Sequence, residues 1–209
     1  ILIRHGNTFN PGEEPVWVGR RTDIPLVSAA HDQAKICAAG LAAAGLAPSV
    51  FYCGPLRRAR DFAGLIHAAL GGISEIRVDP RLDELDYGAW SGLTKRQVIE
   101  RFGEEALLNW ESGCAWPESG GWAGSEEEAA ADARAFAEDL LRRAPAERVV
   151  AAVSSNGKLR YFLKLVEGAF AEAVRYRNFS VRTGHLCWLR HDGERFALVG
   201  WNLEPGRFE

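Results

Sequence analysis

Three short apolar runs punctuate the chain: Ile1-Leu2-Ile3, Ser49-Val50-Phe51-Tyr52-Cys53 and Val149-Val150-Ala151-Ala152-Val153. Each gives way at once to polar or turn-forming residues. Unbroken apolar runs of this length predict strands buried on both faces of a sheet. Ile73 to Val78 predicts a further strand, and the alternating segments Leu186 to Arg190 and Phe196 to Trp201 predict a hairpin turning around Asp192-Gly193. Between these runs the pattern becomes helical. Ser28 is the predicted N-cap of an alanine-rich helix from Ala29 to Ala44, and further helices are predicted from Leu56 to Leu70, from Thr94 to Phe102, and from the turn after Val153 through Val166. Ser125-Glu126-Glu127-Glu128 has the form of a capping box opening a long helix to Arg143. The stretches from Asn10 to Pro25 and from Gly113 to Gly124 are too irregular for helices and predict loops, the first lying over whatever the strand ends hold. Strands separated by helices predict an α/β fold: a three-layer αβα sandwich, mainly parallel, with helices on both faces and the hairpin as antiparallel edge structure. No repeat or linker divides residues 1–209, which read as one domain.

In a parallel sheet the turns that follow the strands share the carboxyl edge, where open α/β sheets hold ligands. The first turn carries Arg4-His5-Gly6, with Thr8 and Asn10 close behind; the second leads to Arg57, Arg58 and Arg60; the third is Ser154-Ser155-Asn156-Gly157. An arginine fork suits a phosphoryl group, and a glycine after the histidine lets the backbone approach an anion closely. Arg57, Arg58 and Arg60 cannot all point inward, and the spacing favours Arg58.

Composition narrows the candidates. With 47% hydrophobic and 25% charged residues the chain is ordinary for a globular protein, and a net charge of −3 gives no basic footprint for nucleic acid. No apolar run approaches the roughly 20 residues that span a bilayer. Cys37, Cys53, Cys114 and Cys187 are scattered without metal-ligand spacing, so neither a metal site nor a disulfide framework is indicated, and reduced cysteines in a cytoplasmic protein are expected. The chain has no methionine and opens inside a strand, which predicts a natural start upstream of Ile1.

Ile3-Arg4-His5-Gly6-Asn7-Thr8-Phe9-Asn10 resembles the opening motif of the histidine phosphatase superfamily, the phosphoglycerate mutase-like enzymes, whose histidine is transiently phosphorylated. Two further stretches extend the resemblance in the family's order. Pro55-Leu56-Arg57-Arg58-Ala59-Arg60 places Arg58 on the phosphate-binding arginine, and Leu82-Asp83-Glu84-Leu85-Asp86-Tyr87-Gly88-Ala89-Trp90-Ser91-Gly92 places Glu84 on the catalytic acid. The acid is followed by Leu85-Asp86 rather than the mutases' Arg-His, and Trp90 stands where the phosphatase branch has it, so the resemblance implies hydrolysis. It breaks in the third turn: Val153-Ser154-Ser155-Asn156-Gly157-Lys158-Leu159-Arg160 has Ser155 where the family has a second histidine. His31, His67, His185 and His191 lie on other elements and read as surface or packing residues.

The resemblance implies a phosphomonoester hydrolase working through a phosphohistidine on His5, with Glu84 as general acid and no metal or other cofactor. Arg4, Arg58, Asn10, Ser155 and Asn156 would bind the phosphoryl group, and Arg20, Arg21 and Trp90 would line the leaving-group side, with Trp17 and Trp116 as further candidates. The implied partner is a small phosphorylated metabolite; the oligomeric state is left open. Two alternatives remain, a catalytically impaired member that binds a phosphorylated ligand or protein and a phosphoglycerate mutase-type phosphotransferase.

Overall fold

The computed structural model describes residues 1–72, 74–143 and 149–206. One sheet of six strands runs through it: β1 (Leu2–Arg4), β2 (Val50–Cys53), β3 (Glu75–Val78), β4 (Val150–Ser154), β5 (Leu186–His191) and β6 (Phe196–Leu203), in the spatial order β3-β2-β4-β1-β5-β6. The first four strands pair in parallel, while β5 pairs antiparallel to both β1 and β6. The fold is therefore the anticipated mixed, mostly parallel three-layer sandwich.

Alternation along the strands builds the layers. Ile3, Phe51, Cys53, Ala151, Val153 and Leu186 share one core with helix α1 (Ala29–Ala43) and helix α2 (Arg57–Ala69). Their neighbours Leu2, Val50, Tyr52, Ala152 and Cys187 point the other way, into a core that includes Phe136 of helix α5 (Glu126–Arg143). Successive side chains on a strand face opposite sides, so each central strand must be apolar throughout. This is why those runs carry no polar alternation. The edge strand β3 is exposed along its whole length, and Ile73, placed at its start by the sequence, lies outside the described residues.

The chain departs from the sequence reading in four places. Ser28 is helical and makes no side-chain cap; its carbonyl instead accepts from His31 N–H at 3.1 Å. Two short helices, α3 (Lys95–Phe102) and α4 (Glu104–Gly113), stand where only the first was expected. The helix expected through Val166 is a four-residue α6 (Asn156–Leu159) followed by a 3-10 segment, Arg160–Leu165. A final helix, α7 (Ala169–Tyr176), was not read at all. The capping box at Ser125 is present, with Glu128 N–H donating to Ser125 Oγ and Ser125 N–H to Glu128 Oε2, both at 3.1 Å.

Candidate active site

A cleft of about 600 Å³ opens at the carboxyl edge of β1, β2 and β4. His5 leaves β1 and lines it with Arg4; both elements that flank this turn explain Gly6. A Cβ at Gly6 would sit 2.7 Å from both Ala30 and the Phe62 ring, so the packing of α1 and α2 by itself requires a glycine there. His5 is 6% exposed, and its Nδ1 lies 2.8 Å from the Gly6 carbonyl. A carbonyl can only accept, so Nδ1 carries the proton and the neutral ring keeps its lone pair on Nε2. Burial, reinforced by the charges of Arg4 and Arg58, pushes the imidazole pKa down to about 3. The ring is neutral at any ordinary pH.

Two arginines flank it. Arg58, the inward one of its trio, is 1% exposed and donates to the carbonyls of Thr22 at 3.0 Å and Val18 at 3.2 Å, which pins the loop after β1 over the cleft. Arg57 and Arg60 are exposed. Arg4 donates through Nη1 to Val181 O at 2.6 Å, and its buried Nε has no hydrogen-bond partner. An unpaired charged donor in a buried wall is costly unless a ligand satisfies it.

Glu84 enters from the turn after β3 and is 4% exposed. Its carboxyl accepts from Leu85 N–H at 2.9 Å, Lys158 N–H at 3.1 Å and Gly157 N–H at 3.3 Å, and from the Tyr87 hydroxyl. Burial raises the Tyr87 pKa well above its usual value, so that hydroxyl stays a donor. Gly157 makes room for this arrangement: a Cβ there would meet Tyr87 Oη at 2.2 Å and Glu84 Oε1 at 2.6 Å.

The remaining expected residues are sorted by the structure. Asn156 lines the cleft, with Oδ1 accepting from Val181 N–H at 2.8 Å so that its amide NH₂ is the remaining donor. Ser155 is 2% exposed and is not part of the lining, and the N–H groups beyond it serve Glu84. Asn10 reaches the exposed rim, where its amide donates to Glu13 at 3.0 Å. Arg20 and Arg21 turn away from the cleft, donating to Glu84 O at 3.1 Å and to Asp86 at 2.6 Å. Asp86 is buried and also accepts from Gly88 N–H at 3.1 Å, closing a turn. Trp90 is fully buried and lines nothing; it belongs to an edge-to-face cluster with Trp17, Tyr87 and Trp122, with ring centroids 4.8 to 5.1 Å apart. Trp116 joins the same cluster and donates to Tyr161 Oη at 2.6 Å. Of the tryptophans named as candidates, Trp17 alone lines the cleft. Tyr87, Thr183, Lys95 and Glu111 also line it, and sequence reasoning missed all four. The first had a readable signal, since it stands three residues after Glu84 within a matched motif. His31, His67, His185 and His191 are all outside the lining.

The model of the histidine phosphatase superfamily, branch 1, matches residues 1–204. The chain belongs to this superfamily. Among curated relatives, the 2,3-bisphosphoglycerate-dependent phosphoglycerate mutase of Corynebacterium diphtheriae is 35% identical over 113 residues, 53% of this chain and 44% of the relative. That of Brucella ovis is 35% identical over 123 residues, 58% of each chain. The matches thus span about half the length of these mutases. A solved mycobacterial glucosyl-3-phosphoglycerate phosphatase, in complex with VO3, superposes with a TM-score of 0.76 and 25% identity over 97% of each chain. For this histidine phosphatase superfamily member, phosphoryl transfer or hydrolysis is the chemistry supported. Among the described residues no three His, Cys, Asp or Glu side chains group to hold a metal ion, and no helix is long and apolar enough to cross a membrane.

Proposed function

We propose that this chain hydrolyses phosphomonoesters through a phosphohistidine on His5. The observation that carries the reading is the Nδ1–H to Gly6 carbonyl bond in a ring held neutral by burial and two arginines. It leaves the Nε2 lone pair as a nucleophile at the bottom of the cleft, between Arg4 and Arg58. Nε2 attacks phosphorus in line and the P–O bond to the alcohol breaks. Glu84, protonated at this stage, gives its proton to the leaving oxygen. Water then attacks the phosphohistidine, its proton returns to the Glu84 carboxylate, and phosphate leaves with His5 neutral again. Arg4 and Arg58 offset the equatorial charge throughout, which is most of what catalysis of phosphoryl transfer requires.

Loss of one preorganised donor at such a site costs on the order of 10²- to 10³-fold in rate. With Ser155 outside the cleft lining, we assign the second histidine's place to neutral or charged donors already in the wall, the Asn156 amide and the unpaired Arg4 Nε. The mutase names of the sequence relatives favour a second reading, transfer of the phosphoryl group to another hydroxyl. Both readings are tested by phosphate release from 4-nitrophenyl phosphate, wild type beside His5→Ala. Free phosphate that falls by about 10³-fold or more in the variant, with an acid-labile phosphoprotein trapped only in the wild type, is the expected result. Equal turnover in the two proteins overturns the mechanism. Phosphoryl transfer to an added phosphoglycerate, without free phosphate, replaces hydrolysis by mutase chemistry.

A further inference from the structure

The cleft changes character between floor and rim. Its floor carries two cations, Arg4 and Arg58, and the Glu84 carboxyl around a neutral histidine. The rim carries the exposed Glu13 and Lys95 and the half-buried Glu111. Lys95 Nζ lies 2.9 Å from Glu111 Oε2, so this rim cation is already neutralised by a carboxylate of the neighbouring helix. An exposed pair of this kind adds little to stability, but it fixes where the charge sits. Glu13 is left as the uncompensated rim charge, its carboxylate held by Asn10 N–H at 2.7 Å and Asn10 Nδ2 at 3.0 Å. Between floor and rim the lining mixes apolar Phe9, Val16 and Trp17 with polar Asn7, Thr8 and Thr183; Trp17 is held in place by its N–H donating to Leu93 O at 2.9 Å and by Gly92 N–H donating to Trp17 O at 2.8 Å.

Resting on the phosphomonoesterase reading, we infer that the substrate is a monophosphate ester whose alcohol part carries either no second charge or a cationic one, because a rim of net negative charge above the floor repels a second anion. The phosphate dianion is drawn to the floor. A carboxylate or second phosphate on the same molecule would be set against Glu13 and Glu111, and such like-charge placement is how a site discriminates between otherwise similar ligands. Glu111 is then a specificity-determining residue, since it holds Lys95 away from any substrate anion.

Three aryl monophosphates that differ only in the para substituent test this: 4-methylphenyl, 4-carboxyphenyl and 4-(aminomethyl)phenyl phosphate. The expected order of kcat/KM is aminomethyl at least equal to methyl, and both about tenfold or more above carboxy. Added salt narrows the spread, because the rim is exposed and its field is screened. Glu111→Gln, which frees Lys95, narrows the methyl-to-carboxy ratio to about threefold or less. Equal kcat/KM for the three esters, or a preference for the carboxy compound, overturns the inference and leaves the hydrolase reading standing. No hydrolysis of any of the three by wild type overturns the hydrolase reading itself, and the inference with it.

Discussion

The floor and the rim of the cleft are built by different physical means. On the floor, His5, Arg58 and Glu84 are at most 6% exposed, and each is held by backbone partners: the Gly6 carbonyl, the carbonyls of Val18 and Thr22, and the N–H groups of Leu85, Gly157 and Lys158. On the rim, the Lys95 and Glu111 side chains are 63% and 39% exposed and are tied chiefly to each other. Backbone partners are set by strand ends and turns and hold whatever the solvent does. Side-chain pairs in water are screened and readily exchanged. The floor is therefore suited to chemistry that tolerates little displacement, and the rim to selectivity that small changes can retune.

The comparison breaks most visibly if Gly157 is replaced. In Gly157→Ala the added Cβ overlaps Tyr87 Oη and Glu84 Oε1, neither of which can withdraw to solvent, so the acid must move. Displacing a general acid by about an ångström costs on the order of 10²-fold in kcat. Steady-state kinetics on an aryl phosphate measure the loss. Removing the hydroxyl as well, in Gly157→Ala/Tyr87→Phe, relieves the closer of the two overlaps and restores part of kcat, so the pair is non-additive. An unchanged kcat in Gly157→Ala would mean the floor is as adjustable as the rim.

This division also explains what could be read in the sequence. The four parallel strands and the convergence of Arg4, His5 and Arg58 on one sheet edge follow from local signals, namely apolar runs and the turns that end them, whereas Glu84 was placed by its motif's resemblance to the family's. Arg20 and Arg21 were misplaced because both lie in an irregular segment whose direction is decided by distant partners, Glu84 O and Asp86. Trp90 was misplaced because an aromatic side chain in a glycine-rich stretch looks the same whether it faces a cleft or a cluster of its own kind. Lys95 and Glu111 were invisible as a pair: they are 16 positions apart, on α3 and on an α4 that had no strong periodicity to announce it. The helix after β4 was drawn too long because Tyr161, Phe162 and Leu163 are helix-compatible, yet all three are buried in a tighter 3-10 segment.

A smaller effect sharpens the same contrast through pH. The folded protein holds His5 neutral until about pH 3, while in the unfolded chain the imidazole takes up a proton near pH 6.5. As pH falls below 6.5 the unfolded state therefore gains protons that the folded state does not, and stability drops. Between pH 7 and pH 5 this one group accounts for about 2 kcal/mol of lost stability. Urea unfolding at the two pH values should show His5→Gln losing about 2 kcal/mol less than wild type over this interval. Equal losses would mean that the floor admits a charged imidazole, and that the neutral nucleophile is not enforced by burial.

The smallest expected effect lies on the rim side. Thr94 caps α3, with Gln97 N–H donating to its Oγ1 at 3.3 Å and its own N–H donating to Gln97 Oε1 at 2.9 Å, and its backbone bridges to Val16 of the loop lining the cleft. Thr94→Ala removes the cap and costs about 1 kcal/mol. Lys95 is the first residue of α3, so fraying there loosens its hold on Glu111 while the floor, tied to the strand ends, stays in place. The expected signature is a small fall in the unfolding midpoint, kcat within about twofold of wild type for an uncharged aryl phosphate, and a weaker discrimination against its carboxylated analogue. A large fall in kcat for the uncharged ester would show that the rim helix also holds the catalytic groups, and the separation between a rigid floor and an adjustable rim would fail.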